Sequence, residues 1–132
     1  MPLQIAIADD SAAIRSALRT YIESHTDWQV CGEAEDGQSA VFIVQHLQPH
    51  VLILDLSMPV LNGLEAARQI AVISPKTRIV LFTAHTGERV QREAKKVGIR
   101  SVIAKDGDAT LQRLVITVRD TACNDAADAQ AA

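Results

Sequence analysis

The sequence predicts a doubly wound α/β fold, (βα)5, with a five-stranded parallel sheet covered by helices on both faces. Three features point there. Ile5–Ala8, Val51–Leu54, Ile79–Phe82 and Ser101–Ala104 are short, nearly continuous apolar runs, as strands buried on both faces require. Between them lie stretches whose apolar residues recur three and four apart, the period of an amphipathic helix. The breaks between the two patterns fall at Asp-Gly, Asn-Gly, Ser-Pro and lone Gly or Pro residues, which punctuate a chain.

The first strand spans about Gln4–Ala8. Ser11 offers an N-cap hydroxyl, and Ile14, Leu18, Tyr21 and Ile22 form the apolar stripe of the first helix. Asp27-Trp28 begins the return, and Trp28, Val30 and Gly32 alternate with polar neighbours in the second strand. Asp36-Gly37 is a turn signal; Val41, Val44 and Leu47 stripe the second helix, which Pro49 ends. The third strand is Val51–Asp55. Leu56–Pro59 reads as a loop and Asn62-Gly63 as a second turn signal. Leu64, Ala67, Ile70 and Val72 or Ile73 give the third helix, ended by Ser74-Pro75. The fourth strand is Arg78–Thr83. The fourth helix runs from about Gly87 to Val97 on a thin stripe of Val90, Ala94 and Val97, with Gly98 as its cap. The fifth strand is Ser101–Lys105, and the fifth helix starts near Asp108 with Leu111, Leu114, Val115 and Val118 inward. Asn124–Ala132 holds only small and polar residues, so the domain is expected over 1–122, with 123–132 a flexible tail or truncated linker.

At 132 residues the chain has the size of one domain with a real core. A net charge of -3 gives no global attraction to nucleic acid or an anionic membrane. Aromatics at 3% leave no stacking platform for single-stranded nucleic acid, so the core must be aliphatic. Cys31 and Cys123 lack metal or CxxC spacing and read as cytosolic thiols. MPLQIAIADD has neither a basic start nor a long apolar stretch, and no run approaches the roughly 20 residues of a membrane span. The expected location is the cytoplasm.

The chemistry sits where strands end. Asp9-Asp10, Asp55, Thr83 and Lys105 each follow or close an apolar run, and parallel sheets place ligand sites at the carboxyl ends of their strands. Three carboxylates together repel one another unless a divalent cation or another positive charge joins them. Hard oxygen ligands of this kind suit Mg²⁺, although acids at a helix N-terminus also favour the macrodipole. Asp55 reads either as a carboxylate accepting loop N–H groups or as a nucleophile toward phosphorus, giving an acyl phosphate. Lys105 is the compensating point charge. Thr83 offers a hydroxyl but is also a good strand residue, and the small Ala84 leaves its backbone N–H open to an anion.

With those residues placed, the chain resembles a response-regulator receiver domain of two-component signalling. The likeness covers about Leu3 to Arg119 and rests on IADDS, LILDLSMPVLNGLEAARQI, VLFTAH and VIAKDG, in that order. The wording is similar to receivers that precede NarL/LuxR-type helix-turn-helix domains. The resemblance implies a flavodoxin-like sheet of strand order 2-1-3-4-5 and a phosphoryl group accepted on Asp55 from a histidine kinase or phosphotransfer protein. It implies Mg²⁺ held by Asp10, by Asp9 mainly through water, by Asp55 and by the Ser57 backbone carbonyl. Thr83, Lys105 and the backbone N–H groups of Leu56 and Ala84 would contact the phosphoryl group. Ser57 and His85 would tune dephosphorylation. Transcription regulation is the implied output, and no turnover of a free substrate is implied beyond self-phosphorylation and dephosphorylation.

Two departures from the pattern matter. Val102 stands where the family usually has Tyr or Phe, so there is no ring to swing when the threonine moves. Asp106 stands where a proline commonly follows the lysine, as in the NarL-like group. The fourth helix carries Arg89, Arg92, Lys95, Lys96 and Arg100 against Glu88 and Glu93. It reads as a solvated face or as part of a partner or dimer surface with the fifth strand and helix. Direct DNA binding is disfavoured because no helix-turn-helix is present. A dehalogenase-type phosphohydrolase would need an acid two residues after its nucleophile, where this chain has Ser57. Neither GxGxxG nor a P-loop follows the first strand.

Overall fold

A computed structural model describes residues 2–84, 86–99, 101–106 and 109–131, with side chains through 122. The elements alternate as expected: β1 (Gln4–Ala8), α1 (Ala12–His25), β2 (Gln29–Ala34), α2 (Gly37–Leu47), β3 (Val51–Leu54), α3 (Gly63–Ile73), β4 (Arg78–Thr83), α4 (Glu88–Lys96), β5 (Ser101–Ala104) and α5 (Thr110–Ala131). All strands pair in parallel, in the order β2-β1-β3-β4-β5. The expected start of the fifth helix near Asp108 and the basic Arg100 lie outside the described residues.

Register delivers the strand ends together. Ala8 pairs with Leu54, and Leu54 with Leu81, so Asp9 and Asp55 leave the sheet side by side. Thr83 pairs with Ala104, so Lys105 emerges next to Thr83. Asp55 and Lys105 each lie one residue past the strands expected to include them, because the apolar run ends the ladder before the charged residue does.

Period-two alternation divides the core between the two faces of the sheet. Ile5, Ile7, Ile53, Val80 and Phe82 pack with Leu18 and Ile22 of α1 and with Leu114 and Val118 of α5. The other face is alanine-rich. Ala6, Ala8, Leu52, Leu54 and Leu81 meet Ala40, Val44, Ala66, Ala67, Ile70 and Ala94 of α2, α3 and α4. Small residues let these helices lie close to the sheet. Leu47 is half-exposed because it lies over Gly32 on β2, an edge strand with nothing beyond it. Val72 is 80% exposed, and Ile73, the alternative for that position, is partly buried.

The helix starts are mostly capped by side chains. Ser11 accepts from the Ile14 N–H at 3.3 Å, as expected. The two turn signals prove to be caps as well: Asp36 accepts from the Ser39 N–H at 2.7 Å and Asn62 from the Glu65 N–H at 3.0 Å. Helix α4 differs, since Gly87 precedes it without a side-chain cap. Gly98 takes the left-handed φ of +90° that closes α4. Among the described residues, no helix is long and apolar enough to cross a membrane.

Candidate functional site

The sheet's carboxyl edge gathers the acids and the lysine. One carboxylate oxygen from each of Asp9, Asp10 and Asp55 lies within 4.8 Å of the others. Asp9 and Asp55 are buried and Asp10 is exposed. The backbone holds the edge rigidly: the Asp9 N–H donates to the Ala34 carbonyl at 3.0 Å, and the Asp55 N–H to the Ala8 carbonyl at 2.9 Å. The Ser11 N–H donates to Asp9 Oδ1 at 2.9 Å, which aims that carboxylate along the start of α1.

Lys105 supplies the positive charge. Its Nζ stands 2.7 Å from Asp9 Oδ2 and 3.2 Å from Asp55 Oδ2, above the Phe82 ring at 6.0 Å from the centroid. Its N–H donates to the Thr83 carbonyl, which fixes the base of the side chain beside the fully buried Thr83. Burial alone would lower the lysine's pKa, but hydrogen bonding to Asp9 and the charges of Asp55 and Asp9 outweigh it, and the net shift is upward. Asp55 is pushed above the usual carboxylate range, first by burial and then by the Asp9 charge, with Lys105 opposing. One ammonium therefore does not fully compensate the buried acids.

That shortfall fits a divalent cation. Asp9 Oδ2 is buried with the Lys105 ammonium at 2.7 Å, and that one ammonium is shared with Asp55 at 3.2 Å. The donors are all carboxylate oxygens, the hard ligands that a cation such as Mg²⁺ prefers.

The loop after Asp55 is held by close backbone packing. The Ser57 N–H reaches Asp55 Oδ1 at 3.4 Å, and the Gly63 N–H donates to the Leu56 carbonyl at 2.9 Å. A Cβ on Gly63 would overlap the Asp55 carbonyl, and one on Gly37 would overlap the Leu61 carbonyl. Glycine at these two positions lets α2 and α3 press against the loop. Val60 pays for the tight path, with φ +69° at a β-branched residue whose side chain is exposed.

Of the residues expected at the site, Asp9, Asp10, Asp55, Thr83 and Lys105 converge, with Leu56, Ser57 and Ala84 on the loops around them. His85 lies outside the described residues. Val102 is half-buried and lines a shallow groove of about 590 Å³ with Gln91, Arg92, Lys95, Ile99 and Thr117. Sequence reasoning missed Arg15, whose guanidinium reaches the Asp9 carbonyl at 2.6 Å. It sits one helical turn after the N-cap Ser11, a spacing that places its side chain near the start of the helix. It also missed the packing role of Gly37 and Gly63, which looked only like turn residues.

Residues 5–119 match the family described as the response regulator receiver domain. The chain is 34% identical over 104 residues to the uncharacterized transcriptional regulatory protein YxjL of Bacillus subtilis, covering 79% of this chain and 48% of YxjL. It thus spans about half the length of that relative. It is 31% identical over 107 residues to protein CcdB of the same organism, covering 81% of this chain and 88% of CcdB. Among solved structures, a LuxR-family two-component response regulator from an Aurantimonas species superposes with a TM-score of 0.87 at 27% identity, covering 94% of this chain and 87% of that one.

Proposed function

Because this chain belongs to the response regulator receiver family of two-component signalling, we propose that it accepts a phosphoryl group on Asp55 and switches the surface formed by α4, β5 and α5. The observation that carries the reading is the buried Asp55 carboxylate beside the buried Asp9 carboxylate, the two sharing the single Lys105 ammonium. A histidine kinase or phosphotransfer protein supplies the group. An Asp55 carboxylate oxygen attacks phosphorus, the bond from phosphorus to the donor imidazole breaks, and the imidazole leaves with its electron pair and takes up a proton. Lys105 exchanges its Asp55 contact for a phosphoryl oxygen, and Thr83 with the Leu56 and Ala84 N–H groups receives the others. Asp10, Asp9 mainly through water, Asp55 and the Ser57 carbonyl would hold Mg²⁺, which would supply positive charge against the incoming group. Ser57 and His85 set how readily water reaches the product.

On this reading the receiver unit is residues 1–122, with 123–132 a tail or truncated linker. The output is transcriptional, through a partner or a LuxR-type DNA-binding domain, and the protein acts in the cytoplasm without itself contacting nucleic acid or membrane. Acetyl phosphate with Mg²⁺ should add one phosphoryl group to the parent, read by intact mass, and none to Asp55→Asn. Equal labelling of the Asn variant would overturn the assignment. Val102 favours a second reading, a receiver that takes the group but transmits little, since valine at this position has no ring to move into or out of the groove. Amide spectra with and without beryllofluoride separate the two: shifts confined to the acid site favour the second reading, and shifts reaching α4 favour the first.

A further inference from the structure

Arg15 links the acid pair to the neighbouring strand. Its Nη1 donates to the Asp9 carbonyl oxygen at 2.6 Å, and its Nε donates to Glu33 Oε1 at 3.3 Å. Glu33 Oε2 accepts from Arg19 Nε at 2.7 Å. The Arg15 side chain is 16% exposed, so this fork is mostly withdrawn from water. Asp10, in contrast, is exposed, and among the described residues no hydrogen bond orients its carboxylate. The backbone therefore sets only where the Asp10 side chain departs, and the reach of its carboxylate follows from that point. The peptide joining Asp9 to Asp10 is planar, so fixing the Asp9 oxygen fixes the plane from which Asp10 departs.

We propose that Arg15 is a positioning residue for cation binding: it clamps the Asp9–Asp10 peptide to β2 through Glu33 and so presets the Asp10 carboxylate. The inference rests on the acidic site holding Mg²⁺. The guanidinium suits the task because its rigid fork reaches two acceptors at once, whereas an ammonium on a lysine stem is a single point charge. Glu33 has a second effect. It draws the guanidinium toward β2, and without it the cation of Arg15 is free to turn toward the carboxylates and compete with the metal. Arg19 shares Glu33 but has no contact with the Asp9 carbonyl among the described hydrogen bonds, so it serves as the control.

The test is Mg²⁺ titration by calorimetry on the parent, Arg15→Met, Arg15→Lys, Glu33→Gln and Arg19→Met, with thermal melts of each. Loss of a residue that orients a metal ligand typically weakens affinity about 10-fold or more, the effect expected for Arg15→Met. Arg15→Lys should recover only part of it, Glu33→Gln should weaken binding in the same direction, and Arg19→Met should stay within about two-fold of the parent, as an exposed ion pair predicts. If Arg15→Met does not fold, Arg15→Lys and Glu33→Gln carry the comparison. A folded parent that takes up no Mg²⁺ overturns the acidic-site reading together with this inference. A parent that binds while folded Arg15 and Glu33 variants match it overturns the positioning role alone.

Discussion

Helices α5 and α4 flank the same strand, β5, and they are held very differently. On α5, Leu114, Val115 and Val118 are buried against Ile, Val and Phe side chains of the sheet. On α4, Ala94 is the one fully buried residue, Val90 is only partly covered, and the rest of the helix is charged apart from Gln91. Helix α4 also starts at a glycine without a side-chain cap, and beside it lies the groove at Val102. The contrast separates two tasks. The face carrying α1 and α5 supplies the aliphatic packing that fixes the strand ends, and with them the acids and Lys105. The element beside β5 with the least burial is the one that can move at low cost, as elements that switch generally are.

The sharpest way to break this contrast is to remove equivalent packing from each helix. Leu114→Ala should cost about 2–5 kcal/mol in urea unfolding, because it opens a cavity between α5 and the sheet. Val90→Ala on α4 should cost about 1 kcal/mol or less, since most of what it covers is already near water. Equal costs would mean that α4 is as firmly packed as α5.

The acid site offers a test of smaller size. Asp55→Asn should raise stability at neutral pH by about 1 kcal/mol, the usual trade of a strained functional group against fold stability. The sign follows from the raised pKa of Asp55. Between its unfolded value and the raised folded value, the native state holds more protons, so the parent loses stability as pH rises through that window. Melts should therefore bring the parent and Asp55→Asn together as pH falls below it. Phosphoryl acceptance by the parent should fade over the same window, because the nucleophile becomes protonated. Lys105 acts at the other end: its raised pKa adds stability below the ordinary lysine value, which is lost as pH rises through the folded one.

The smallest effect concerns the start of α4. Gly87 has extended backbone angles that suit an N-cap, and a Cβ there meets nothing within 4 Å. Gly87→Asp should add about 0.3 kcal/mol by capping the first turn, and should slow amide hydrogen exchange in α4. Unchanged α4 exchange would show that the missing cap does not contribute to its looseness.

Much of this molecule was legible in sequence. The apolar runs of β1, β3, β4 and β5 are nearly continuous, so their ends could be read to within a residue, and the polar residue at each end stood out. The order of Asp9-Asp10, Asp55, Thr83 and Lys105 then carried the site, because parallel strands in register bring their carboxyl ends to one edge. Helix stripes were read less well. Leu47 has the right period yet is half-exposed, because the edge strand it lies over offers no further partner, and of the alternatives Val72 and Ile73 it is Val72 that is exposed.

The sequence by itself determined the alternation of elements, the parallel sheet and the chemical identity of the site, since these follow from local periodicity and from residue type. Only the tertiary structure decided how Arg15 and Glu33 share the Asp9 peptide, how Gly37 admits the Leu61 carbonyl, and how lightly α4 is held beside Val102. Those depend on which faces of distant segments meet. Pairings across 18 residues between Arg15 and Glu33, fixed by the docking of α1 on β2, leave no period in the chain to read.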